Sequence, residues 1–139
     1  MTTNKVTLLG LDVGERRIGV AIGDSVGRLA TPLTTLEVDG LELVGLQRIL
    51  LERDITGLVV GLPRNMSGEE TQQSEVVRRF VKRRLLGFEL PLNYQDESLT
   101  SVKAEQELAA RKKSYKKNDV DALAAAFILE DYMEAHYGH

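Results

Sequence analysis

The chain of 139 residues contains no cysteine. That excludes a disulfide framework and any thiolate metal or redox centre, and it fits a reducing compartment. No apolar run approaches the ~20 residues that a membrane helix needs. The N-terminal segment MTTNKVTLLGLDV has one early lysine, and Asp12 falls within its short apolar stretch. Such a segment makes a poor signal peptide. A cytoplasmic protein with no membrane partner is the expectation. Histidine is scarce: His136 and His139 both lie in the C-terminal tail, a position better suited to solvation than to ligation. No internal repeat, low-complexity tract or linker divides the chain, so residues 1–139 read as one domain.

What is present is an ordinary globular composition, 42% hydrophobic and 28% charged, with a formal net charge of −3. Taken alone, that balance argues mildly against a nucleic-acid partner, because such domains are often strongly basic. The local pattern says more. RRFVKRR (Arg78 to Arg84) and RKKSYKK (Arg111 to Lys117) hold ten of the 18 basic residues. An acidic chain can still present two positive patches.

Hydrophobic periodicity predicts strands over Lys5–Val13, Arg17–Asp24 and Arg28–Val38, with turns at Gly14–Arg16 and Val26-Gly27. Pro32 assigns the third strand to an edge or an irregular position. A helix over Gly40–Asp54 follows, with Leu43, Leu46 and Leu50 at helical spacing. Thr56–Pro63 reads as a central buried strand, RNMSG (Arg64 to Gly68) as a polar loop, and Glu69–Leu86 as a helix. Leu90–Asp96 is a fifth strand, Leu99–Arg111 a helix, KKSYKK a loop, and Asp119–Glu134 the last helix. Hairpin-linked strands that give way to strand–helix alternation imply an α/β fold. Its mixed sheet would join an antiparallel half to a parallel half, with helices on its faces.

Three carboxylates are out of place in this pattern. Asp12 sits near the carboxyl end of the first strand between Leu11 and Val13, where an unpartnered carboxylate is costly. A turn cap on Gly14 or Glu15 is the simple alternative. Glu97 follows the fifth strand in DESLTS, and Ser98 is the better N-cap for the next helix, so the glutamate is not needed there. Asp121 lies in KNDVDALAAAFIL, where Asn118 can N-cap the helix and Asp121 can complete a capping box. Yet Asp121 also borders the stripe Val120, Leu123, Ala124, Phe127 and Ile128. Ala122, Ala124, Ala125 and Ala126 allow this helix to approach the sheet closely. Sites in open sheets form outside the carboxyl ends of strands. Three converging acids would repel one another unless a divalent cation joined them, and all-oxygen ligands favour Mg²⁺ or Mn²⁺. Two such ions can activate water and stabilise the leaving oxygen in phosphodiester cleavage.

GLDVGERRIGVAIGD, VVGLPRNMSG, DESLTS and NDVDALAAAFILEDYM, in this order, resemble the bacterial YqgF/RuvX family of the RNase H-like nuclease superfamily. The resemblance spans nearly the whole chain. It implies a five-stranded mixed sheet with flanking helices and a metal triad of Asp12, Glu97 and Asp121. Lys117 matches the lysine of the family's C-terminal K-x-x-[VI]-D motif. Ser98 departs from the family's usual arginine in D-E-R; Arg16, Lys117 or the Arg111–Lys113 run are candidates to replace it. Asp119, turned about 200° from Asp121 on a helix, is better read as an exposed first-turn acid.

Candidate nucleic-acid contacts are Arg16 and Arg17, then Asn65, Ser67 and the Gly68 backbone, then Arg111, Lys112, Lys113, Tyr115, Lys116 and Lys117. Tyr115 could stack on an unpaired base. RRFVKRR is better read as a solvated helix face. The expected activity is a Mg²⁺- or Mn²⁺-dependent endonuclease with two ions, acting on structured nucleic acid. The resemblance implies the 5′ end of precursor 16S rRNA or a four-way (Holliday) DNA junction. Junction resolution would call for a homodimer. The alternatives are an actin-like or sugar-kinase-type ATP-binding module, suggested by the Asp-x-Gly opening, and a non-catalytic nucleic-acid-binding domain.

Overall fold

The computed structural model describes residues 5–97, 106–107 and 117–138, with the side chains of 117 and 118 outside that description. Three strands come first: β1 (Thr7–Val13), β2 (Arg17–Asp24) and β3 (Ala30–Glu37). Helix α1 (Glu42–Glu52), β4 (Gly57–Pro63) and α2 (Gln72–Phe80) follow. A π turn (Val81–Leu85) and a 3₁₀ turn (Leu86–Phe88) lead to β5 (Leu92–Glu97). The long α3 (Lys117–Tyr137) closes the described chain. The sheet order is β3-β2-β1-β4-β5. Its first three strands pair antiparallel, and β4 and β5 run parallel to β1. The expected mixed sheet is therefore present.

Period-two alternation divides the sheet into two faces. Leu9, Leu11, Val13, Ile18, Val20, Leu58, Val60 and Leu62 form one core with Leu46 of α1 and Val77 of α2. The other face carries Leu8 and Val59, which pack with Ile128, Leu129 and Met133 of α3. Asp12 shares the face of Leu8, and so lies on the α3 side. Between Val120 and Met133, α3 is buried nearly all round, wider than the single stripe its sequence suggests. Pro32 lies on edge strand β3, beside a bulge opposite Val20 and Ala21. That is where a missing N–H costs least.

Three helix starts differ from the sequence reading, the first being α1, which begins at Glu42, two residues after the expected Gly40. α2 begins at Gln72, three residues after the expected Glu69. Thr71 caps it, with its backbone N–H donating to Ser74 Oγ at 2.8 Å. The fully buried Ser74 hydroxyl in turn donates to the Pro63 carbonyl, which ties the helix start to the end of β4. Ser74→Ala leaves that carbonyl without its donor and breaks the cap. A loss of about 1–2 kcal/mol is expected, read as a lower urea midpoint at unchanged slope. The last helix is already running at Lys117, so Asn118 lies inside it and is not its cap. The capping-box alternative, which needed Asn118 to start the helix, therefore loses its basis, and Asp121 is left for another role. Of the helix expected over Leu99–Arg111, only Gln106 and Glu107 are described, and both are helical. Ser98 and the rest of residues 99–116 lie outside the described residues.

Candidate active site

Asp12 occupies the penultimate position of β1, paired across the hairpin with Gly19 of β2. The hairpin turn is closed by Gly14, whose N–H donates to the Arg17 carbonyl at 2.9 Å. Gly19 decides how α3 arrives. A Cβ built there would lie 1.9 Å from the Asp121 carbonyl oxygen. Only a glycine lets the backbone of the helix settle on this point of the sheet. The contact sets Asp121, in the first turns of α3, directly above the partner of Asp12.

Glu97 arrives from the other side. It ends β5, in register with Pro63 of β4. A Cβ at Gly61 would lie 2.8 Å from Glu97 Oε1, so the glycine makes the recess that receives this carboxylate. The Arg64 N–H donates to the Glu97 carbonyl at 3.0 Å and holds the strand end in place.

The electrostatics of Asp12 register this convergence. Its carboxyl is pushed up to about 8, first by desolvation and then by the negative charges of Glu97 and Asp121. Asp12 keeps some accessible surface, but protein surrounds it closely enough to strip most of its water. A turn cap accepting backbone N–H bonds would be shifted the other way. Asp24 gives the contrast: it accepts from the N–H groups of Gly27 at 2.8 Å and Val26 at 2.9 Å. Its carboxyl is held below the usual range, chiefly by the Gly27 bond.

The donor set is all oxygen, and the glycine recesses fit carboxylates on a shared ion. Even so, no group of three His, Cys, Asp or Glu among the described residues forms a ready-made metal cage. Asp121 is engaged by a neighbour instead: Arg17 Nε donates to its Oδ2 at 2.6 Å.

The expected nucleic-acid contacts are placed as follows. Arg17 turns to Asp121, while Arg16 is exposed at the β1–β2 turn. Asn65 builds its own loop, since its Oδ1 accepts from the N–H groups of Ser67 and Glu69, both at 2.9 Å. Ser67 is exposed on that loop, beside the carboxyl end of β4. Arg111, Lys112, Lys113, Tyr115 and Lys116 lie outside the described residues, as does the side chain of Lys117. In the basic run, Arg78 pairs with Glu70 at 2.7 Å and lies over the Tyr94 ring. Lys82, Arg83 and Arg84 are exposed, as a solvated face requires. Asp119 is exposed, as expected.

The close approach of α3 rests on Gly19 and Gly61 of the strands as well as on the expected alanines of the helix. Glycine inside a strand pattern was the available signal. The sequence reading assigned Arg17 to phosphate and missed its carboxylate partner.

The fold defines the class: this is the RNase H-like architecture of RuvC-type resolvases. It aligns with Thermus thermophilus RuvC in complex with a Holliday junction substrate at a TM-score of 0.55, with 18% identity and 96% of each chain covered. A second Thermus thermophilus RuvC structure aligns at 0.52, covering 94% of this chain and 95% of that one, with 14% identity.

The chain belongs to the RuvX family, whose model, described as Holliday junction resolvase, matches residues 6–135. A relative from Chloroflexus aggregans, described as a candidate pre-16S rRNA nuclease, is 44% identical over 136 residues, covering 95% of this chain and 96% of its own. A relative from Synechocystis with the same description is 41% identical over 141 residues, covering 99% of this chain and 93% of its own.

Proposed function

We propose that the chain is a divalent-metal-dependent endonuclease that hydrolyses phosphodiester bonds in structured nucleic acid. Asp12, Glu97 and Asp121 would hold the ions. The observation that carries this reading is the convergence of three carboxylates: Asp12 pairs with Gly19, on which the Asp121 helix is seated, Glu97 fills the recess at Gly61, and the charges of Glu97 and Asp121 both raise the Asp12 carboxyl. Three acids gathered at one end of the sheet, with Arg17 on Asp121, make an all-oxygen donor set suited to a divalent cation. Bound Mg²⁺ or Mn²⁺, two ions in the full site, would activate water and offset charge on the leaving oxygen.

The residues of the chain supply the frame. Asp12 and Glu97 project from strands, which hold their carboxylates more rigidly than loops could. Asp121 is carried by a helix seated against Gly19. Arg16, exposed at the β1–β2 turn, is suited to a backbone phosphate. The loop carrying Asn65 and Ser67 flanks the Glu97 side. The basic segment 111–116 precedes the Asp121 helix in sequence and would bring positive charge to that helix's start. The family description names a Holliday junction and the relatives' descriptions a pre-16S rRNA, so the substrate is taken as a folded RNA or a branched DNA. Maturation of the precursor 16S rRNA 5′ end is the leading role and junction resolution the second.

Three labelled substrates with Mg²⁺ or Mn²⁺ test this: a precursor-rRNA fragment, a four-way DNA junction and its linear duplex. Cleavage of the rRNA or the junction at least about tenfold faster than the duplex is expected, and its loss with EDTA. Equal cutting of all three would sink the claim of structural selectivity. No cutting, with ATP bound, would return the Asp-x-Gly opening to the ATP-binding reading. Sedimentation of the protein alone and on the junction tests the homodimer that symmetric cleavage needs.

A further inference from the structure

Arg17 opens β2, at the edge of the acid cluster, and its Nε donates to Asp121 Oδ2 at 2.6 Å. The two side chains keep 26% and 23% of their surface, so the pair stands at the mouth of the site and within reach of an arriving strand. A guanidinium carries its charge at every working pH. The short charge-assisted bond ties up one of Asp121's two carboxylate oxygens. An ion that takes the lone pair Nε occupies must displace it, and an ion at any other lone pair of this carboxylate must bind beside a fixed positive charge. A phosphodiester offers the same guanidinium an alternative anion of suitable geometry.

We propose that Arg17 is a positioning residue that couples metal loading to substrate. It holds Asp121 until a nucleic-acid phosphate draws the guanidinium away and frees Oδ2 for the ion. The inference rests on the triad reading above. Its thermodynamic consequence is reciprocal: a bound strand tightens the metal, and the metal tightens the strand by the same factor. Metal loading in the absence of substrate is thereby kept low without any moving lid.

The test is Mn²⁺ titration of the whole protein, reading free ion by electron paramagnetic resonance, with and without a phosphorothioate four-way DNA junction. Circular dichroism melts accompany each variant. Without the junction, Arg17→Met is expected to bind Mn²⁺ roughly 3- to 10-fold tighter than wild type, because a competing cation is gone. With the junction, wild type should gain roughly tenfold in Mn²⁺ affinity and Arg17→Met less than about twofold. Arg17→Lys restores the charge and should return junction-free affinity to within about twofold of wild type.

A merely structural arginine predicts the opposite sign, since Asp121 would lose its anchor. Equal or weaker Mn²⁺ binding by a folded Arg17→Met overturns the proposal. So does an Arg17→Lys protein that binds as tightly as Arg17→Met. If wild type binds no Mn²⁺ at all, the triad reading falls and this proposal with it. Mn²⁺ binding with the wrong response to Arg17 removes only the coupling.

Discussion

Asp12→Asn is expected to lose at least about 10³-fold in cleavage rate while making the metal-free protein more stable at alkaline pH. The two effects have one origin. The Asp12 carboxyl titrates near 3.8 when unfolded and near 8 in the folded protein. Below about pH 4 it is neutral in both states and costs nothing. As pH rises from 4 towards 8, the unfolded chain releases this proton and the folded chain retains it. The stability present at low pH is therefore lost progressively and is gone above the folded value. The difference is on the order of a few kcal/mol, after allowance for the solvent that Asp12 retains. Asparagine removes the titration.

Melting in EDTA should then give a variant that matches wild type near pH 4 and exceeds it increasingly up to pH 8 to 9. Adding Mg²⁺ or Mn²⁺ should stabilise wild type and leave Asp12→Asn nearly unmoved, because metal binding to the native state is stabilisation by linkage. A variant that cuts as fast as wild type would remove Asp12 from the site. A variant whose stability tracks wild type across the whole range would remove the repulsion from which the proposed cation is argued.

The position of Asp12 was legible because a strand alternates. With Leu9, Leu11 and Val13 on one face, an acid at 12 had to face the other, next to whatever covered it. Glu97 was legible as an acid beyond the needs of its helix cap, at a strand end of the same polarity. Asp121 was the harder case. Its capping-box alternative depended on Asn118 starting the helix, and helix starts are weakly determined when a basic, polar segment leads into them. The structure resolves that competition by running the helix from Lys117.

What no local pattern could supply was partnership across the fold. Arg17 and Asp121 are 104 positions apart. Beside a hairpin turn an arginine reads equally well as a phosphate ligand or a carboxylate partner, and tertiary approach alone selects between them. Gly19 was silent for a similar reason. A glycine in a strand signals close approach, but not what approaches. The π turn at Val81–Leu85 was likewise hidden, since the four-residue spacing of its buried ends reads as ordinary helix.

Gly19→Ala and Gly61→Ala make the same chemical change at two points of this site and should fail differently. At Gly19 the new methyl would meet the Asp121 carbonyl oxygen at 1.9 Å, its carbon at 2.3 Å and the Ala122 nitrogen at 3.0 Å. All three atoms belong to the backbone of a buried helix, so no rotamer change relieves the clash. The start of α3 must lift off the sheet, and the packing of Val120, Leu123 and Ala124 is loosened with it. A loss of about 3 kcal/mol or more is expected, together with cleavage reduced by about 10²-fold or more from the displaced Asp121.

At Gly61 the methyl would meet Ile128 Cδ1 at 2.5 Å and Glu97 Oε1 at 2.8 Å. Both are side-chain ends that can rotate, so the fold should lose only about 1–2 kcal/mol. Glu97, however, is pushed from its recess. Activity and Mn²⁺ affinity should therefore fall by roughly tenfold or more in a protein that melts close to wild type. Urea melts beside metal titrations separate the two cases. If Gly19→Ala melts like wild type, α3 is not seated on β2, and the route that brings Asp121 to Asp12 is wrong. If Gly61→Ala keeps full metal affinity, the recess does not hold Glu97 for an ion, and the third ligand must come from elsewhere.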